Sequence, residues 1–114
     1  MKAATISNYN ATIEITEIDK PSLNSDSVLI KVHAAGLNPI DDILRSGVMK
    51  EAMPLSFPHI MGFDVAGQVI EVGKDVRNFN VGDAVFARPN QGDAGAIAEF
   101  ALVKATEVTL NPTN

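Results

Sequence analysis

The sequence predicts a mainly β fold with one short helix, built as a small barrel or sandwich. Three observations support this class. Short runs rich in β-branched and other apolar residues recur along the chain, clusters of turn residues separate them, and one stretch carries the start and stop signals of a helix. The 114 residues are enough for one compact domain, and the hydrophobic fraction of 46% is typical of a globular protein.

Six stretches are predicted to be strands. The segment from Thr12 to Ile18 alternates polar and apolar residues with a period of two, which predicts one buried face and one exposed face. The segment from Val28 to Ala35 is the most regular of the six. The full set comprises residues 2–7, 12–18, 28–35, 69–72, 84–87 and 96–104. Beyond Ala105 no further element is predicted.

A short helix is predicted to begin after Asn38, a good N-cap residue, and to end before Gly47, a typical C-terminal cap. Pro39 is favoured at the first helical position. Asp41 and Asp42 fall in the first turn, where the helix dipole favours negative charge. Three apolar side chains are expected to face the core: Ile40, Ile43 and Leu44.

Residues 58–73 lead from a proline through two closely spaced glycines into a strand. Glycine weakens a strand unless backbone or a ligand must come close, so the spacing of Gly62 and Gly67 around Asp64 predicts crowding at both glycines. The alternative is that they only relieve packing inside a small β domain. Residues 48–57 have no clean period and are predicted to form a loop that lies on the domain.

Composition excludes several classes of function. The net charge of −5 and the lack of any basic run argue against a nucleic-acid partner. Without cysteine, the chain has no disulfide, no thiolate nucleophile and no thiolate metal site. No apolar run resembles a signal peptide or reaches the roughly 18 residues of a membrane helix. A cytoplasmic protein with no membrane partner is therefore expected.

Residues 36–41 and 58–67 resemble the N-terminal, GroES-like catalytic domain of medium-chain dehydrogenases/reductases, and more narrowly its zinc-independent quinone oxidoreductase branch. Further matching pieces occur in the family's order: residues 45–47, 69–73, 81–85 and 95–100. The resemblance implies a GroES-like, partly open β-barrel over residues 1–114. The Rossmann cofactor domain of the family has no match here, since residues 92–95 lack its glycine spacing.

The resemblance also implies a site without a metal. The zinc-dependent branch carries a cysteine at the position of Asn38 and a histidine at the position of Phe63, and neither ligand is present here. The family's acid is retained as Asp64. The two histidines are not expected to replace the missing ligands, because His33 is expected to be structural within a strand and His59 to lie in a surface loop.

By resemblance, the expected reaction is hydride transfer from NADPH to a quinone, an enone or another conjugated carbonyl, without zinc. Asn38 is expected to offer its amide to the nicotinamide and to the acceptor oxygen, as a catalytic and cofactor-binding group. The alternative is that Asn38 serves only as the helix N-cap. Asp41 is the second catalytic candidate, as a group that orients Asn38 or a water, and its alternative is an ordinary first-turn acid.

The resemblance gives four further residues a place in the candidate site. Asp64 and Arg45 are candidates for cofactor binding: Asp64 holds nearby backbone or Arg45, and Arg45 reaches a phosphate or Asp64. The alternatives are a buried turn acid and a solvated cation at the helix end. Met49 and Phe63 are expected in the substrate pocket. Related quinone reductases often carry a tyrosine at the position of Met49, whereas the only tyrosine here, Tyr9, is far away in sequence.

Two expectations concern the chain as a whole. If the Rossmann domain is missing, most NADPH contacts are missing with it, so the 114-residue chain alone is expected to be inactive. The alternative is a non-catalytic GroES-like binding or scaffold module, in which Asn38 and Asp64 do no chemistry. A ring-forming co-chaperonin is disfavoured because residues 48–57 contain no glycine. A homodimer is compatible with the resemblance.

Overall fold

The computed structural model describes residues 1–36, 38–52, 54–55, 57–88 and 95–110. The described residues form eight strands and one α-helix: β1 (Lys2–Ile6), β2 (Glu14–Glu17), β3 (Ser27–Gly36), α1 (Pro39–Ser46), β4 (His59–Ile60), β5 (Asp64–Val72), β6 (Ala84–Ala87), β7 (Phe100–Lys104) and β8 (Val108–Leu110). A 3₁₀ turn, Ala105–Glu107, joins β7 to β8. The predicted mainly β fold with a short helix is confirmed. No helix among these residues has the length and apolarity needed to cross a membrane.

The strands form two antiparallel sheets, with the strand orders β2-β1-β4 and β7-β3-β5-β6-β8. The ten-residue β3 pairs with β7 on one side and with β5 on the other. Backbone hydrogen bonds join β1 of the smaller sheet to the segment that leads into β7 of the larger one: the Ala4 N–H donates to the carbonyl oxygen of Ile97, and the Glu99 N–H donates to that of Lys2. Together the sheets enclose the core as a partly open β-barrel.

The core consists mainly of β-branched side chains from the larger sheet. Five of them are at most 1% exposed: Val28, Ile30, Val69, Val85 and Val103. Such residues suit the pleated, buried surface of a central strand. Burying each one stabilises the fold by about 1.5–3 kcal/mol relative to leaving it exposed.

Two predictions about buried faces are wrong. Ile15 in β2 is 70% exposed and Ile13, just before the strand, is 39% exposed, because β2 pairs only with β1 at the edge of its sheet. In α1, Ile43 is 42% exposed whereas Asp41 is only 2% exposed. The carboxylate takes the inward position because both of its oxygens accept backbone hydrogen bonds there.

Two strands were not predicted, and the bounds of several others differ from the prediction. β4 and β8 were not predicted, because strands of two and three residues are too short to show a period. The predicted strand over residues 96–104 begins only at Phe100, and Ala98 before it forms an isolated bridge to Ala3. β5 already begins at Asp64, so that Gly67 lies inside the strand.

Candidate functional site

The carboxylate of Asp41 fixes the first turn of α1. One of its oxygens, Oδ2, accepts the backbone N–H of Asn38 at 2.7 Å, and Oδ1 accepts that of Gly62 at 3.0 Å. A buried carboxylate without partners would be costly, but here two backbone donors satisfy it, one of them at a helix N-terminus. Asp41 therefore ties the start of the helix to the approach of β5.

Asn38 is the N-cap residue of α1, with an extended backbone at φ −119° and ψ 163°. The backbone N–H of Asn38 donates to the Asp41 carboxylate, and the backbone N–H of Asp41 donates to the backbone carbonyl oxygen of Asn38 at 2.9 Å. The Asn38 side chain makes no capping hydrogen bond of its own. The side-chain amide nitrogen of Asn38 donates to Oδ2 of Asp64. The two alternatives for Asn38 are thus compatible, because its backbone serves the helix while its carboxamide is held against Asp64.

Both glycines around Asp64 are crowded, as predicted. Gly62 has φ +99°, a conformation that favours glycine, and a Cβ there would lie 2.7 Å from Cγ1 of Ile97. A Cβ at Gly67 would overlap the carbonyl group of Lys31 in the neighbouring strand. The tight backbone at Gly62 is what brings its N–H to Asp41.

Asp64 occupies the first position of β5, opposite Gly36 in β3. Its side chain is 46% exposed and lines a cavity of about 570 Å³. The wall of this cavity combines small apolar residues with one aromatic ring and three charged groups: Ala34, Asp64, Ala66, Phe86, Arg88 and Glu107. Asp64 thus lines a space large enough for a small ligand, whereas Asn38 is not among its lining residues and bonds to Asp64 at its rim.

Arg45 lies in the last turn of α1 and does not pair with Asp64. Its guanidinium donates to Oδ1 of Asp42 at 2.8 Å and to the carbonyl oxygen of Ala11 at 3.1 Å. The alternative of a helix-end cation describes these contacts better than a bond to Asp64. The predicted contact with a cofactor phosphate stays a prediction.

Phe63 and Met49 were both predicted to face the substrate. Phe63 is only 3% exposed, so its ring belongs to the packed interior and offers a ligand little surface. Met49 is half-buried in the turns that follow α1. Neither side chain lines the cavity beside Asp64, and their place in a substrate pocket stays a prediction.

His59 is 9% exposed and lies in β4, paired with Ile6 of β1, rather than in a surface loop. Burial lowers the pKa of its imidazole below the ordinary value of 6.5, and the negative charge of Asp41 opposes that shift. The ring is therefore expected to be neutral at neutral pH. Sequence reasoning missed this burial, because a two-residue strand has no visible period.

Tyr9 contacts the C-terminal end of α1 although it is remote in sequence. The C-cap Gly47 has φ +83°, and a Cβ there would lie 3.1 Å from the ring of Tyr9. The Tyr9 hydroxyl accepts the N–H of Leu55 at 3.0 Å, and its ring packs edge-to-face on Phe57 with 5.0 Å between centroids. The single tyrosine thus anchors the segment after the helix.

The side chains around Asn38 do not fit a zinc ion. Asn38 turns an amide N–H, which is a donor and not a ligand, toward Asp64, and the buried Phe63 has no donor atom. A zinc site needs three or four nitrogen, sulfur or oxygen ligands. Within the described ranges, no three histidine, cysteine, aspartate or glutamate side chains come close enough together to hold a metal.

Residues 24–113, most of the barrel, match the family model of the alcohol dehydrogenase GroES-like domain. A chloroplastic quinone-oxidoreductase homolog of Spinacia oleracea is 37% identical over 98% of this chain and 35% of its own length. A chloroplastic NADPH-dependent alkenal/one oxidoreductase of Arabidopsis thaliana is 35% identical over 100% of this chain and 32% of its own length. The quinone oxidoreductase structure from Coxiella burnetii superposes with a TM-score of 0.86 at 32% identity, over 96% of this chain and 36% of that one. The chain spans about a third of the length of these relatives.

Proposed function

The chain belongs to the alcohol dehydrogenase GroES-like domain family, and from this membership we propose that it forms the substrate-side domain of an oxidoreductase. The proposed reaction transfers a hydride from NADPH to a quinone or another conjugated carbonyl without zinc. Two relatives support this class, since one is named a quinone-oxidoreductase homolog and the other an NADPH-dependent alkenal/one oxidoreductase. The observation that carries the proposal is the hydrogen bond from the Asn38 carboxamide to Asp64 at the rim of the cavity.

The Asn38 carboxamide is proposed to polarise the acceptor carbonyl. NADPH, when bound, supplies the hydride. Its addition leaves negative charge on the acceptor oxygen, and a proton from water completes the reduced product. The second amide hydrogen of Asn38 is the proposed donor to that oxygen. Because Asp64 already holds the carboxamide, this donor is oriented before the acceptor arrives, which is how a fixed dipole lowers a reaction barrier.

Asp41 is a positioning residue in this proposal. Both of its oxygens hold backbone N–H groups, so its carboxylate fixes the backbone of Asn38 and does not touch the acceptor. Arg45 lies in the last turn of α1, away from Asn38, and its guanidinium bonds to Asp42, so its proposed role is limited to contact with a cofactor phosphate. The residues of this chain that would lie beside a bound nicotinamide are Asn38 and Asp64.

Replacing Asn38 with alanine tests the proposal in the complete reading frame that contains these residues. NADPH oxidation with a quinone is expected to slow about a hundredfold, because the donor to the charged oxygen is lost. The free energy of unfolding is expected to fall by only about 1 kcal/mol, because one partly buried hydrogen bond, from the carboxamide to Asp64, is lost. Steady-state kinetics and urea denaturation give the two values.

Asn38→Ser is the matched control, because serine is also a good N-cap but lacks the carboxamide. This variant is expected to keep the stability of the wild type and to stay as slow as Asn38→Ala. A serine variant with wild-type rates would show that Asn38 acts only as the cap. Quinone reduction that depends on bound zinc would contradict the metal-free part of the proposal.

The 114-residue chain by itself is proposed to be inactive, since it spans about a third of its relatives. Isothermal titration calorimetry of the isolated chain with NADPH is the direct check. Binding with micromolar affinity would contradict this part of the proposal.

A further inference from the structure

Arg88 lies next to Asp64 because of the register of the larger sheet. β5 and β6 pair with Val65 opposite Ala87, so the residue before Val65 and the residue after Ala87 are neighbours. The Nε atom of Arg88 is 3.7 Å from Oδ1 of Asp64, and both side chains line the same cavity. No motif in the sequence singles out Arg88.

The two oxygens of Asp64 have different partners. Oδ2 accepts the Asn38 amide, and Oδ1 faces the Arg88 guanidinium. The other two arginines of the chain bond elsewhere: Arg45 to a carboxylate of its own helix, and Arg77 to a carbonyl oxygen of its own turn. An amide, a carboxylate and a guanidinium therefore stand in a row at the edge of the cavity.

The ion pair of this row is too exposed to contribute much to stability. The Arg88 side chain is 68% exposed and that of Asp64 is 46% exposed, and pairs this open to water stabilise folded proteins little. The positive charge of the guanidinium nevertheless favours the carboxylate orientation in which Oδ1 faces Arg88. A carboxylate that is free to rotate would present either oxygen, or neither, to the carboxamide of Asn38.

We propose that Arg88 is a positioning residue, which holds Asp64 so that the Asn38 carboxamide keeps one orientation beside the cavity. An effect of Arg88 on the reaction rate rests on the proposed function. Its effect on the orientation of the Asn38 carboxamide does not depend on that function. Lysine at this position would keep the positive charge without the planar fork of arginine, and glutamine would lose the charge. Arg88→Lys is therefore expected to disturb the Asn38 carboxamide less than Arg88→Gln does.

The two side-chain amide protons of Asn38 report this orientation in NMR spectra of the ¹⁵N-labelled chain. A proton bonded to a carboxylate resonates apart from its partner, because the charge-assisted bond is strong. In Arg88→Gln the separation of the two resonances is expected to fall by about half or more, and in Arg88→Lys most of it is kept. Arg77→Gln, which removes an exposed arginine from another turn, is the control and leaves the separation unchanged. A folded Arg88→Gln chain with the wild-type separation would overturn the proposal.

A salt titration tests the same contact without a substitution. About 1 M KCl shortens the screening length to about 3 Å, which is less than the distance between Arg88 and Asp64. The Asn38 resonances of the wild type are then expected to move toward those of Arg88→Gln. Asn38 amide resonances that do not change with the KCl concentration would contradict the proposal.

Steady-state kinetics of an active protein that contains these residues separate this proposal from the proposed function. In Arg88→Gln, kcat for quinone reduction is expected to fall about tenfold with an unchanged KM for NADPH, because the donor is misaligned and not removed. The melting temperature is expected to change by no more than about 2 °C. Shifted Asn38 resonances in a protein that reduces no quinone would support the positioning role and reject the reaction.

Discussion

The two ends of α1 contact other parts of the chain through different chemistry. At the N-terminal end, the carboxylate of Asp41 accepts the N–H of Gly62 at 3.0 Å. At the C-terminal end, the ring of Tyr9 lies against the C-cap Gly47, and its hydroxyl accepts the N–H of Leu55, in the segment after the helix, at 3.0 Å. The eight residues of α1 form a helix about 12 Å long, so its two ends contact different segments of the chain.

The difference between the ends lies in charge and burial. Asp41 is 2% exposed and carries the carboxylate on which the placement of Asn38 depends, whereas Tyr9 is only partly buried and its hydroxyl is neutral. Removing a charged partner from a buried donor costs more than removing a neutral one. The end that bears the candidate site is therefore expected to be the more sensitive to substitution.

Asp41→Ala should have the largest effect on this comparison. Two backbone N–H groups, those of Asn38 and Gly62, lose their acceptor, and the free energy of unfolding is expected to fall by about 3 kcal/mol. Asp42→Ala is the matched control, since it removes an exposed acid from the same turn whose partner is Arg45, and it is expected to cost less than about 1 kcal/mol. Urea denaturation measures the free energy of unfolding of both variants. Equal losses would show that the buried carboxylate of Asp41 matters no more than the exposed one of Asp42.

Tyr9→Phe should have a smaller effect at the other end. The ring stays against Gly47 and Phe57, and only the acceptor of the Leu55 N–H is lost, so the expected loss is about 1 kcal/mol. Hydrogen exchange of the Leu55 amide is expected to accelerate, while the side-chain amide resonances of Asn38 stay in place. A loss as large as that of Asp41→Ala would show that the two ends are equally critical.

The smallest expected effect is on the pH dependence of stability. It arises from His59, whose imidazole is influenced by the negative charge of Asp41 at the N-terminal end of α1. Because burial lowers the pKa of His59, the unfolded chain takes up a proton first as the pH falls below 6.5. The contribution of His59 to stability is thus complete above pH 6.5 and is lost as the pH falls from there through the lower pKa of the folded state. His59→Gln is expected to flatten the decline in denaturant midpoint between about pH 7 and pH 5.

His33→Gln serves as the control for that measurement, because His33 is exposed in β3. It is expected to leave the pH dependence unchanged. If the two histidine variants showed the same pH dependence, burial of His59 would not be its cause.

The features that were predictable from the sequence are those with local signals. Asn38, Pro39 and Gly47 mark the two ends of the helix through backbone preferences that need no neighbours. The crowding at Gly62 and Gly67 was equally visible, because a glycine weakens an apolar strand and is favoured there mainly where another group comes close.

The features that were missed depend on which strands meet. Arg88 becomes a neighbour of Asp64 only through the register of β5 and β6, and Tyr9 reaches Gly47 only after the chain has folded back. The exposure of Ile15 follows from the edge position of β2, although its alternation looked like that of any half-buried strand. Periodicity reports that a strand has two faces, but it does not report what covers them.

The pairing of β3 with β7 has a consequence for synthesis on the ribosome. Until Phe100–Lys104 has been made, one edge of β3 has no partner, although β3 contains Val28 and Ile30, which are fully buried in the finished barrel. Open edges of apolar strands pair readily with other chains. Nascent or prematurely terminated forms that stop before Phe100 are thus expected to aggregate when expressed alone.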